Sequence, residues 1–134
     1  MKDDSLESRL VAVARQALRH AYAPYSHYSV GAAVADPEGR IFPGCNVENA
    51  SYGLTICAER VAIGAAIATG VRRLAAVAVA AEKSVPYPCG ACRQVMAEFM
   101  DGNAPILVAG PDGAPQRFSL DDLLPCRFAN FPLA

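Results

Sequence analysis

Residues 74–81 read Leu-Ala-Ala-Val-Ala-Val-Ala-Ala and carry no polar side chain. A strand with that composition has no face to give to water, so it belongs in the middle of a sheet covered on both sides. The cover has to come from helices, and the rest of the chain has the periodicity for them. Residues 5–22 put Leu6, Leu10, Val13, Ala14, Ala17, Leu18 and Ala21 at helical spacing, with Pro24 just past the end. Residues 57–69 predict a second helix that stops at Gly70, and residues 61–68 within it offer no polar side chain. Such a helix is expected to be buried all round, beneath the sheet or against another subunit. Residues 89–100 predict a third helix, closed by Asp101-Gly102. Residues 28–35 and 40–47 flank Asp36-Pro37-Glu38-Gly39 and predict an antiparallel hairpin. Residues 105–109 and 116–119, around a Gly-Pro-Asp-Gly turn, predict a second one. The order is helix, hairpin, helix, strand, helix, hairpin. It specifies an α/β fold, a three-layer α-β-α sandwich on a mixed five-stranded sheet, built as a single domain over residues 1–134.

Several function classes drop out at this level. A formal net charge of −1 leaves no basic field to gather a polyanion, so nucleic acid is not the expected partner. The apolar runs at 61–68 and 74–81 fall far short of the roughly 20 residues needed to span a bilayer, so no membrane is expected. Asp3, Asp4 and Glu7 stand where a signal peptide needs an apolar core, which favours a cytoplasmic protein with reduced thiols. The five cysteines, an odd number, then read as metal ligands, catalytic groups or core filler and not as a disulfide framework.

The sharpest local feature is Pro88-Cys89-Gly90-Ala91-Cys92 at the start of a predicted helix. Alone it fits half of a metal site or a dithiol redox pair of the thioredoxin kind. A zinc site needs at least three protein ligands, and Cys57 stands at the start of another helix beside Glu59. Residues two apart on a helix point about 200° apart, so Cys57 and Glu59 can converge only on something beyond the helix end. Cys89 and Cys92, three apart in a first turn, can address the same object from the other side. Helix N-termini stabilise thiolates, and three protein ligands leave the open fourth position of a catalytic zinc. Arg60 and Arg93, next to Glu59 and Cys92, are candidates to offset the negative charge of a three-thiolate site. Cys45 and Cys126 lack such neighbours and read as core thiols. His20 and His27 lie in no His-x-Glu pair and are not expected to ligate.

Cys57-Ala58-Glu59-Arg60 together with Pro88-Cys89-Gly90-Ala91-Cys92-Arg93-Gln94-Val95 resembles the free-nucleoside cytidine deaminases of the small, all-cysteine, homotetrameric kind. The resemblance extends to Tyr25-Ser26, Val30-Gly31-Ala32-Ala33, Gly44-Cys45-Asn46-Val47-Glu48-Asn49-Ala50-Ser51-Tyr52 and Leu123-Leu124-Pro125. It implies Zn2+ held by Cys57, Cys89 and Cys92, and Glu59 as the proton shuttle. The implied activity is a pyrimidine-salvage hydrolase acting on a cyclic amidine, converting cytidine and deoxycytidine to uridine and deoxyuridine plus ammonia. The Asn46-Val47-Glu48 stretch would read the ribose, and the Ala58 main chain would contact the base. Tyr28 stands where relatives often carry Phe near the substrate. Tyr52 and Phe128 would reach a neighbour's pocket at the subunit contacts of a homotetramer.

Four rivals stay open at this level, the redox protein of the thioredoxin kind among them. One of the others is a deaminase of a modified cytosine nucleoside such as blasticidin S, and one a non-catalytic zinc-stabilised binding module. The last, editing of RNA or single-stranded DNA, lacks a basic stripe with interleaved aromatics. For the binding module, Glu59 beside an open metal position has no purpose.

Overall fold

In the computed structural model, which describes residues 5–129, the chain forms α1 (Leu6–Ala17), β1 (Val30–Ala35), β2 (Ile41–Cys45), α2 (Ala58–Ala68), β3 (Ala76–Ala81), α3 (Gly90–Phe99), β4 (Pro105–Ala109), β5 (Gln116–Ser119) and α4 (Leu120–Leu123). Asp3 and Asp4, on which the reading of the N-terminus leans, lie outside the described residues. The five strands form one sheet in the order β2-β1-β3-β4-β5. β3 pairs antiparallel with β1 and parallel with β4, while β2 and β5 pair antiparallel at the edges. The sheet is mixed, as expected, and its all-apolar strand is the central one, buried at every position.

The alternation of side chains along the strands divides the core in two. Ala33, Ala35, Ala76, Ala78, Ala80 and Ala109 face α1, where Leu10, Ala14 and Leu18 meet them. Val34, Val77, Val79, Ile106 and Val108 face the other way, onto Ala62, Ile63 and Ala66 of α2 and Met96 of α3. The α1 side is almost all alanine, which lets that helix lie close. A Cβ on Gly31 would fall 2.0 Å from the Ala14 carbonyl oxygen, so only glycine fits beneath it. Gly44 does the same for α2, where a Cβ would come within 2.4 Å of the Ala62 nitrogen and 2.6 Å of the Ala58 oxygen. These two contacts set the height of the helices over the sheet and, through Ala58, the position of the first turn of α2.

Three features add to or differ from expectation beyond shifts of one or two residues at element ends. The first helix is capped by Ser5, whose hydroxyl accepts from Ser8 N, but its α-helical part ends at Ala17 and a 3-10 turn over Leu18–His20 follows. The backbone then leaves the helix because Tyr22 is used elsewhere: its N–H donates to Asn46 O and its carbonyl accepts from Glu48 N, a parallel bridge to Val47. Within one chain the second helix buries one stripe against the sheet and leaves Gly64, Ala65 and Ala68 exposed, the face that the second option, another subunit, would have to cover. Its apolar composition hides a sheet-facing stripe and an open stripe of small residues. Finally, α4 lies outside the predicted elements. Its signal is Ser119-Leu120-Asp121-Asp122, a capping box in which the Ser119 hydroxyl accepts from Asp122 N and the Asp122 carboxylate accepts from Ser119 N. Among the described residues, no helix is long and apolar enough to cross a membrane.

Candidate active site

Two helices begin at one end of the sheet, and their caps are both cysteines. Cys57 is the N-cap of α2, Cys89 the N-cap of α3, and Cys92 the third residue of α3. The Cys57 and Cys89 sulfurs lie 4.0 Å apart, and the three sulfurs all fall within 4.8 Å of one another. Tetrahedral zinc with Zn–S bonds of about 2.3 Å requires sulfurs about 3.8 Å apart, so the donor set fits that ion with little movement. Among the described residues this is the one group of three or more His, Cys, Asp or Glu donors with that convergence. The Cys57 sulfur does not cap its own helix and instead meets Cys89 and Arg60. The Cys89 sulfur accepts from Cys92 N at 3.4 Å, so the backbone of α3 orients it.

The protein's own charges prepare these sulfurs. The hydrogen bond shared with Cys92, and after it the guanidinium of Arg60, bring the Cys57 thiol down to about 5. Arg60 Nη2 lies 3.6 Å from the Cys57 sulfur. Cys92 moves the opposite way: the hydrogen bond with Cys57 and then burial hold its proton well above the ordinary thiol range. The helix N-termini add partial positive charge to the pair. Glu59, only 4% exposed, is raised to about 7, first because burial penalises its charged form and also because the Cys57 sulfur repels it.

A cavity of about 520 Å³ opens beside the sulfurs. Cys57, Ala58, Glu59 and Cys89 line it together with Asn46, Glu48 and Tyr28, and Ser26, Thr55, Val85, Pro86 and Tyr87 are among the remaining lining residues. Asn46, 8% exposed, already accepts from Val30 N and donates to Tyr28 O, yet keeps one N–H and one lone pair. Glu48 Oε1 accepts from Tyr25 N at 3.0 Å and Ser26 N at 3.1 Å, while Oε2 accepts from the Ser26 hydroxyl. Those bonds, that of the Ser26 hydroxyl foremost, keep its carboxyl below the usual carboxylate range.

Residues 4–108, which contain all three cysteines and Glu59, match the family model described as the cytidine and deoxycytidylate deaminase zinc-binding region. The chain belongs to that family. A cytidine deaminase of Sporosarcina psychrophila is 42% identical over 127 residues, covering 94% of this chain and 93% of the relative. One from Halalkalibacterium halodurans is 45% identical over 120 residues, 89% of this chain and 91% of the relative. Among solved structures, the cytidine deaminase of Burkholderia pseudomallei superposes with a TM-score of 0.85 at 46% identity, covering 90% of this chain and 97% of that one. The cytidine deaminase of Mycobacterium tuberculosis superposes at 0.81 and 43%, covering 95% and 100%. The metal of this family region is zinc, and the three-sulfur cluster of this deaminase is able to hold it.

Not every expected residue of the deaminase site is gathered there. Arg93 donates from Nε to Pro88 O and from Nη1 to Leu123 O, both at 2.8 Å, and so ties the loop before Cys89 to the end of α4. Val47 alternates away from its neighbours, bridges to Tyr22 and Ile56 through its backbone, and does not line the cavity. Tyr52 is 74% exposed and packs edge-on against Tyr25. Phe128 is 71% exposed, with its carbonyl accepting from Gln94 Nε2. Cys126 is not a core thiol: it is exposed, on left-handed backbone at φ 52°. Val85, Pro86 and Tyr87 went unnoticed in the sequence, where the signal was their place between the central strand and Pro88.

Proposed function

We propose that this deaminase hydrolyses cytidine and deoxycytidine to uridine and deoxyuridine with release of ammonia, as a single-domain cytoplasmic homotetramer serving pyrimidine salvage. One observation carries the reading: a buried carboxylate, Glu59, lines the same cavity as Cys57 and Cys89 and as the polar pair Asn46 and Glu48. A structural zinc site needs no acid at an open side, and a dithiol redox pair needs no third sulfur.

Held by Cys57, Cys89 and Cys92, zinc supplies the Lewis acidity that brings deprotonation of water toward neutral pH. Glu59 takes the proton of water on its carboxylate and delivers it to N3 of the cytosine ring, and the hydroxide adds at C4. Glu59 then moves the second proton from the new C4 hydroxyl to the exocyclic amine, which leaves as ammonia, and the C4 carbonyl of uridine remains. The Ala58 and Cys89 main chain is set to hydrogen-bond the base, and Arg60 offsets thiolate charge. Asn46 and Glu48 hold the ribose hydroxyls with the donor and acceptor capacity their internal bonds leave over. The Glu48 charge also repels a 5′-phosphate, which favours nucleoside over nucleotide.

The exposed Tyr52 and Phe128, together with the open small-residue stripe of α2, support subunit contacts at which aromatic side chains complete a neighbour's pocket. The reading is tested by following cytidine, deoxycytidine, cytidine 5′-monophosphate and blasticidin S by ultraviolet absorbance, with light scattering on the same sample. Consumption of the first two by a particle of four chains is expected. Consumption of blasticidin S alone, or full activity in a monomer, would overturn it.

A further inference from the structure

Residues 25–28 run between the first helix and β1, with Ser26 and Tyr28 lining the cavity, and they are held at both ends. Glu48 fixes the near end through Tyr25 N, Ser26 N and the Ser26 hydroxyl, which in turn accepts from Tyr28 N at 3.0 Å. The far end is held by the stretch that follows β3. Lys83 Nζ donates to His27 O, and the Tyr28 hydroxyl lies 2.7 Å from Ser84 Oγ. His27, between the anchors, has a φ of 58°, a left-handed conformation that a non-glycine residue keeps only where its surroundings over-determine it. Tyr28 lines one wall of the cavity. Val85 and Pro86, the two residues after Ser84, line it as well, whereas Ser84 does not. The hydroxyl pair, beside the Lys83 bond to His27 O, therefore ties two walls that belong to separate parts of the chain, and of the two ties it is the one made by a side chain that lines the cavity.

We infer that Ser84 is a positioning residue for substrate, acting through the Tyr28 hydroxyl to fix the spacing between the 25–28 strap and the 85–87 loop. The inference rests on the deaminase reading of the cavity. Removing the Ser84 hydroxyl loosens the wall that meets substrate and leaves the sulfurs and Glu59 untouched, so the loss falls on binding rather than on proton transfer.

The test is steady-state kinetics of the zinc-loaded, full-length protein on cytidine, with amide hydrogen exchange of the same proteins without substrate. Ser84→Ala is expected to raise KM roughly two- to tenfold, the range of one lost hydrogen bond, with kcat changed less than twofold. Ser84→Thr, which keeps the hydroxyl, is expected to restore KM. Adding Ser84→Ala to Tyr28→Phe is expected to raise KM no further than Tyr28→Phe does alone. Exchange over residues 25–28 should quicken in Ser84→Ala and not in Ser84→Thr. A KM shift below twofold in Ser84→Ala, no rescue by Thr, or multiplying effects in the double variant would each overturn the inference. A parent protein that leaves cytidine intact would instead refute the deaminase reading, and the exchange comparison would then decide the Ser84–Tyr28 tie by itself.

Discussion

The sulfurs of Cys57 and Cys89 stand 4.0 Å apart, although 32 positions of sequence separate the two residues. Each is the N-cap of a helix that packs on the same face of the sheet, so the architecture itself closes the distance. Removing either should therefore leave the helices in place and cost the metal. Cys57→Ala is expected to lower zinc affinity by more than the roughly 10- to 100-fold typical of changes to outer-shell partners. Arg60→Ala, which removes a partner of the Cys57 sulfur, is expected to fall within that range. Competition with a chromogenic chelator measures both.

Glu59→Gln keeps the volume of the side chain and removes its capacity to carry a proton. Zinc content and the circular dichroism spectrum are expected to match the parent, while kcat for cytidine falls by about 10²- to 10⁴-fold. Near-parental turnover would remove Glu59 from the proton path.

Gly44 lets β2 approach the backbone of α2 at Ala58 and Ala62. Gly44→Ala forces the first turn of α2, and with it Cys57 and Glu59, away from the sheet. A loss of about 1–3 kcal/mol in urea denaturation is expected, the range of core overpacking, together with weaker zinc binding. An unchanged midpoint would mean that this close approach does not hold the helix.

Much of this arrangement is legible in the residue pattern, and the reasons for the misses are physical. The run at 74–81 announces a doubly covered central strand because burial on both faces erases alternation. Cys57-x-Glu59 and Cys89-x-x-Cys92 announce a shared object because residues two apart can converge only at a helix end. What side chains do with spare bonds is harder to read. Nothing in the order Cys92-Arg93 tells that the guanidinium turns back to Pro88 O and Leu123 O. Likewise, the all-apolar stretch 61–68 cannot show which stripe meets the sheet and which faces outward, since neither carries a polar side chain.

Glu48 gives a pH signature. Its folded pKa lies below the ordinary value of 4.5, chiefly through the Ser26 hydroxyl bond, so the ionised carboxylate favours the folded state. That contribution is complete above pH 4.5 and is lost as pH falls through the folded value. The gap in urea midpoint between the parent and Glu48→Gln is therefore expected to be widest near neutral pH and to narrow below about pH 4.5. A gap that widens in acid would contradict the bonding seen at Tyr25 and Ser26.

The most direct test of the whole account is ammonia release from cytidine measured while zinc is titrated back into chelator-treated protein. Activity should rise in step with bound metal and level off at one ion per chain. Undiminished release from the stripped protein, or none at full zinc occupancy, would contradict it.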